Sequence, residues 1–324
     1  LDEARSRSFS PDWADEIIAT PDSNHLGVTV LDDVPLEEVL ELFDWSPFFW
    51  SWQLKGKYPE ILDRKGVGEQ ARALYEDALE ILDQIIKEKH FRCRAALGLW
   101  PANSVGDDIE IYTDENRGNP LGTFHFLRRQ QKINSREIQY CLSDYVAPKD
   151  SGRADYLGAF AVTSGFEVNS FAKTFEKAGD DYSSIIVKAL GDRFAEAMAE
   201  YMHKKVRGWW GFGASESLSN DDLIDEKYQG IRPAHCYPAQ PDHTEKDIIW
   251  QILEVEDAIG IQLTESRAMN PAGSVSGLYF AHPESTYFNL GRIDRDQVED
   301  YAKRKGWTIE QAEKWLRPNL GHDG

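Results

Sequence analysis

Apolar residues recur along this chain with two different periods, and the switching between them lays out its elements. Val28-Thr29-Val30-Leu31 predicts a short edge strand, followed by an acid-rich helix over 35–43. Ala71, Leu74, Ala78, Leu82 and Ile85 keep helical spacing across 67–87, an amphipathic helix with one face on the core. The run 92–100 stops at Pro101 and is too short for a second long helix, so it predicts a strand. Runs 109–112 and 123–127 alternate on either side of Asn119-Pro120 and Gly122, the grammar of an antiparallel hairpin. Two further buried strands are expected over 140–146 and 156–162. A long helix begins near Asp180-Asp181, where acids suit the helix dipole, and Ile186, Leu190, Phe194, Ala197 and Tyr201 form its stripe. Runs 261–266, 276–281 and 286–290 read as an antiparallel meander. Two helices close the chain, 294–305 ended by Gly306 and 308–316 with Thr308 and Gln311 as a capping box. Together these elements predict an α+β fold, a central twisted antiparallel sheet flanked by helices.

The stretch 230–246 obeys neither period. Pro233, Pro238 and Pro241 fix φ and remove backbone donors, so a stiff extended loop carrying Arg232 and Tyr237 is expected. Asp242 is a candidate N-cap, with Glu245 three residues on as its reciprocal partner. Behind it Ile248, Ile249, Ile252, Leu253 and Val255 predict one helix, ended by Gly260. A rigid loop delivered to a helix start is a good place to hold a small polar ligand; a plain proline-rich connector is the other reading.

Other chemistry is sparse. The aromatic run Asp44-Trp45-Ser46-Pro47-Phe48-Phe49-Trp50-Ser51-Trp52 reads as core, and Asp44 within it needs a partner, either a helix end or a cationic ligand. Glu196 lies beside the long helix's stripe, which predicts a half-buried carboxylate. Asp107 and Asp108 are adjacent in a strand and point to opposite faces, so they are structural, not a metal pair. Tyr287 and Phe288 are adjacent in the third meander run, so only one of them faces the core. The glycines of 208–213 follow no strand and lead into an acidic loop, which removes the context of a phosphate-cradling loop.

Composition narrows the class. At 324 residues with 41% hydrophobic and 12% aromatic content the chain is globular. A net charge of −20 argues against a nucleic-acid partner. No apolar run reaches the length of a membrane span, and the amino end is charged, not signal-like. Cys93, Cys141 and Cys236 form neither a zinc pattern nor a disulfide framework, which fits a reducing cytoplasm. The start at Leu1 fits a piece of a longer protein.

The loop Arg232-Pro233-Ala234-His235-Cys236-Tyr237-Pro238 resembles the Arg-Pro-Ala-x-Gly-Tyr-Pro segment of the activation domain of cobalamin-dependent methionine synthase. The runs Asp44-Trp45-Ser46-Pro47-Phe48-Phe49, Gly56-Lys57-Tyr58-Pro59, 101–109, Leu263-Thr264-Glu265-Ser266, Ser274-Val275-Ser276-Gly277 and 296–301 resemble the same domain in the same order. The resemblance implies a domain over 28–324, preceded by a linker arm (1–27) from a cobalamin module. It implies a site for S-adenosylmethionine built from Asp44, Glu196, Glu226, Arg232, Ala234, Tyr237, Tyr287 and Phe288, with Asp44 on the ligand's ammonium. Arg232 suits the carboxylate because its fork binds bidentately. One departure is visible: the family's glycine before the tyrosine is Cys236 here, preceded by His235.

By the same resemblance, the chemistry is methyl transfer to cob(I)alamin after one-electron reduction of inactive cob(II)alamin. This would be the reactivation step of a methyltransferase that carries methyl groups to homocysteine. The corrinoid comes from another domain, because the Asp-x-His-x-x-Gly signature is missing; Asp242-His243 has the wrong spacing. Zinc belongs only to the homocysteine module of the full-length enzyme. The expected partners are the cobalamin-binding domain and a flavodoxin or flavodoxin-like methionine synthase reductase. An acidic donor would need a basic patch, for which Arg128/Arg129/Lys132 and Lys204/Lys205/Arg207 are candidates. The alternative is a non-catalytic docking or capping module whose ligand affinity Cys236 impairs. A Rossmann-type methyltransferase lacks its glycine-rich loop.

Overall fold

A computed structural model describes residues 1–131 and 137–321. Its strands are β1 (Gly27–Val34), β2 (Cys93–Val105), β3 (Asp108–Tyr112), β4 (Pro120–His125), β5 (Asp155–Thr163), β6 (Gln262–Leu263), β7 (Met269–Asn270) and β8 (Ser274–Tyr279). Six of them form one antiparallel sheet in the order β4-β3-β2-β5-β8, with β1 also on β2; β6 and β7 pair separately. The α+β expectation holds. β5 is buried on both faces, and its side chains divide by the period of two. Tyr156, Phe160 and Val162 join the core under the helices Gly68–Glu88, Glu167–Lys177 and Asp181–Trp209. Leu157, Ala159 and Ala161 join a second core on the other face, with Ile249 and Ile252 of the helix Lys246–Ile252.

The predicted helix over 67–87 is Gly68–Glu88, with Ala71, Leu74, Ala78, Leu82 and Ile85 all buried. The long helix starts as expected, Asp180 accepting from Ser183 N at 3.0 Å. The 109–127 hairpin also forms, as β3 and β4.

Elsewhere tertiary contacts override the sequence pattern. β2 does not stop at Pro101. On its β1/β3 side that residue falls in the gap between pairing to β1, which ends at Leu99, and pairing to β3, which starts at Ala102. A missing donor is tolerated where a ladder is interrupted. The strand expected over 140–146 is a 3-10 turn, Leu142–Tyr145, because Asp144 accepts from Cys141 N and from Arg128. The helix behind Asp242 is two helices, Lys246–Ile252 and Val255–Ile259, broken where Glu254 turns left-handed at φ 48°. The third run of the meander is not a strand: Leu290 N donates to Pro238 O, so this segment is pinned to the loop and not to the sheet.

The amino-terminal residues lie against the domain. Arg5 bridges Asp107 and Asp300, Phe9 packs on Tyr145, and Trp210 Nε1 donates to Ala19 O. The two candidate basic clusters are broken up by burial, though Lys204 stays exposed and Lys205 half-buried. Arg128 is buried between Asp107 and Asp144, Arg129 pairs with Glu137, and Arg207 is fully buried. Lys132 lies outside the described residues. Among the described residues no helix is long and apolar enough to cross a membrane.

The expected capping box at Asp242 does not form. Asp242 does cap, accepting from Thr244 N at 2.8 Å, but Glu245 turns away to accept from His125 N and to pair with Lys305 at 2.6 Å. Lys305 also reaches Asp242 at 2.9 Å, so one ammonium from the helix Arg295–Lys305 bridges two buried acids. Burial opposes ionisation of both carboxyls, yet Lys305 with Tyr301 at Asp242, and with His125 at Glu245, holds each below its ordinary value. Such lowered groups add stability above about pH 4, which is lost as pH falls through their folded values. Lys305→Met therefore destabilises the chain at pH 7 by about 3 kcal/mol or more, measured by urea unfolding. The deficit should shrink towards about pH 4, where the stranded carboxylates take up protons; an unchanged midpoint at pH 7 would contradict the anchor.

Candidate functional site

Gly230 enters the loop at φ +88°, and a Cβ there would meet Phe280 O at 2.4 Å. From that turn the backbone runs beside β8. Ile231 and Phe280 exchange both hydrogen bonds, and Leu278 N donates to Pro233 O at 3.0 Å. Gly277 permits this approach, since its Cβ would lie 2.5 Å from Pro233 O. Arg232 is thus fixed by sheet-like pairing on either side of it, and its own N–H donates to the Tyr287 hydroxyl at 3.1 Å. The prolines keep the segment out of any helix, as the sequence implied, while the glycines bring it onto the sheet.

Arg232 opens onto a cavity of about 490 Å³, within the range of small-molecule sites. Ala234, Tyr237, Tyr287 and Phe288 line it from the loop side, and Glu196 and Glu226 face it as acids. Seven of the eight predicted residues, Arg232 included, therefore share one cavity. Tyr287 and Phe288 both line it, since their segment is not a strand. Glu196 is exposed, not half-buried, because the helix turns it outward at the cavity mouth. Asp44 is the eighth and does not line the cavity. Its Oδ1 accepts from Ser46 N at 2.9 Å, at the start of the helix Ser46–Ser51. Just ahead of that helix, Phe43 packs on Phe194 of the helix Asp181–Trp209 in the core, ring centroids 5.2 Å apart.

The charges around Arg232 are asymmetric. Nη1 lies 2.5 Å from Oε2 of Glu200, and Nη2 lies 3.4 Å from Oε1 of Glu226. Tyr228 contributes a hydroxyl to the same Nη1 and donates to Glu200 at 3.2 Å. Burial pushes the Tyr287 phenol up to about 12, so it stays protonated. Because its oxygen accepts from Arg232, its proton is free to be donated into the cavity. The arrangement suits a molecule with a carboxylate for the guanidinium, a cationic part for the acids, and a flat or apolar body against Phe160 and Phe288.

Glu200, His203 and Tyr228 were not singled out from the sequence. A signal was present for the first: Glu200 stands four residues after Glu196, among the buried positions of an otherwise apolar stripe, and a buried acid needs a cation.

Cys236 takes φ +71°, the left-handed region that favours glycine, and its N–H closes a turn onto Gln240 O at 2.8 Å. The substitution leaves the loop in place and costs strain of about 1 kcal/mol. Cys236→Gly should stabilise the chain by about that much and so raise the urea midpoint; a lower midpoint would show the thiol to be a net packing contribution.

These features agree with two comparisons. A family model, vitamin B12 dependent methionine synthase, activation domain, matches residues 35–306. The chain is also similar to a solved structure described as the MetH reactivation domain bound to AdoHcy. The identity is 51% and the TM-score 0.96, over 100% of this chain and 98% of that one. The resemblance carried by the loop and its companion runs is thus borne out: the chain belongs to the activation-domain family of vitamin B12-dependent methionine synthase.

Proposed function

We propose that this chain binds S-adenosylmethionine in the Arg232 cavity and presents its methyl group for reductive reactivation of methionine synthase. The observation that carries the reading is one guanidinium set in a cavity wall beside a protonated phenol and two acids. Arg232 takes the ligand's carboxylate and Tyr287 donates beside it. Glu196 and Glu226 lie where a sulfonium is favoured electrostatically. Asp44 does not line this cavity, so the acids placed here for a cationic part of the ligand are Glu196 and Glu226. The similar structure holds AdoHcy, which is what S-adenosylmethionine becomes on losing its methyl.

The methyl acceptor is the reduced corrinoid of another domain, and its cobalt supplies the nucleophile. This chain's share is orientation, which in ideal cases is worth roughly 7–11 kcal/mol of barrier. Residues 1–27 are read as the arm from that domain. An acidic flavodoxin-type donor would need a surface other than Arg128 or Arg207, which are buried. The docking-module alternative is not favoured, because Cys236, its motivation, does not line the cavity.

Calorimetric titration with S-adenosylmethionine tests the reading. Arg232→Lys keeps a counter-charge for Glu200 but loses the fork, and should weaken binding by about tenfold or more. A wild-type chain that binds no ligand, or a lysine variant of equal affinity, would sink it.

A further inference from the structure

Glu200 makes no part of the cavity wall, yet it is the buried acid that pairs with Arg232, the residue that matters most there. Its side chain is 5% exposed, one helical turn beyond Glu196. Oε2 holds Nη1 of Arg232 at 2.5 Å and accepts from the Tyr228 hydroxyl at 3.2 Å. Behind it lies a second guanidinium. Arg207 is fully buried, stacks 3.9 Å over the Tyr228 ring and gives its Nε to Glu216 at 3.1 Å. Its Nη1 stands 3.9 Å from Oε1 of Glu200, which has no hydrogen-bond partner among the described residues. His203 closes the far side, its ring stacked on Tyr279 at 5.0 Å and its Nδ1 3.5 Å from Nη1 of Arg232.

We propose that Glu200 is the positioning residue that fixes the Arg232 fork for its ligand's carboxylate. The inference rests on the function proposed above and adds the group that pre-sets it. The two acids on the fork differ in kind. Glu226 is 42% exposed and stands 3.4 Å from Nη2, a solvated pair of small energy that an incoming carboxylate can displace. Glu200 is buried and hydrogen-bonded, so letting go of Arg232 would leave its charge inside the protein with only Arg207, 3.9 Å away and not hydrogen-bonded to it, to offset it. Nη1 is therefore committed to the helix, and Nη2 faces the cavity already oriented, which lowers the ordering cost of binding.

The test compares two ligands by calorimetry on this chain: S-adenosylmethionine and its decarboxylated form, which lacks the group that Arg232 reads. In the wild type the carboxylate-bearing ligand binds more tightly. Glu200→Gln should weaken S-adenosylmethionine by about tenfold or more while changing the decarboxylated ligand by less than about twofold. Glu200→Asp, which keeps the charge, should recover part of the loss. Equal losses for both ligands would mark Glu200 as merely structural, and no loss for either would remove its role; both results overturn the proposal. Should Glu200→Gln fail to fold, Tyr228→Phe removes the shared hydroxyl and must show the same selective loss. A wild-type chain binding the two ligands equally would instead remove the carboxylate reading of Arg232 itself.

Discussion

A guanidinium stays charged at every pH a folded protein meets, so wherever a chain buries one it must also bury an acid. Arg232 and Glu200 are that pair here, and the site is built outward from it. The acid comes from a long helix packed on one face of the sheet, and the base from a loop running along β8 at the sheet's edge. Neither element could shift by a fraction of an ångström without opening a contact of 2.5 Å. The loop's far end is fixed by the same kind of bargain, Lys305 between Asp242 and Glu245. A segment with little regular structure thus holds its shape because a buried charge pair sits on each side of the tight turn at Cys236.

That turn bears on how the loop tolerates change. The left-handed φ at Cys236 is set by the hydrogen bond to Gln240 O and by the flanking anchors, which together outweigh the preference of one side chain. Cys236 is not among the residues that line the cavity, so the departure from glycine touches stability and not the ligand surface. The net charge of −20 gathers acids at the cavity as well, but they divide by burial into one that holds the protein together and others that face the ligand.

How much of this was legible in the sequence depends on the range of the interaction concerned. The helix Gly68–Glu88, the β3/β4 hairpin and β5 follow from local periodicity, and there the pattern and the fold agree. The proline loop was legible as an extended segment for the same reason. What periodicity misses is set by partners far away in the chain. Glu245 has the spacing of a capping box, but Lys305 and His125 outbid Asp242 for it. Residues 142–145 have the composition of a strand, but Asp144 is drawn to Arg128 and folds the backbone into a turn. Of the site, the cavity-facing residues were reached through family resemblance, whereas Glu200 looks in sequence like one more acid in an acidic chain. Only its burial in the fold singles it out.

The account stands on Arg232 meeting the ligand's carboxylate while still held by Glu200. A crystal structure of this chain with S-adenosylmethionine measures both contacts at once. The account predicts the carboxylate on the cavity side of the Arg232 fork, Glu226 displaced from Nη2, and the contact between Glu200 and Nη1 unchanged. A ligand bound with its carboxylate away from Arg232, or a guanidinium swung off Glu200 to reach it, would contradict the account.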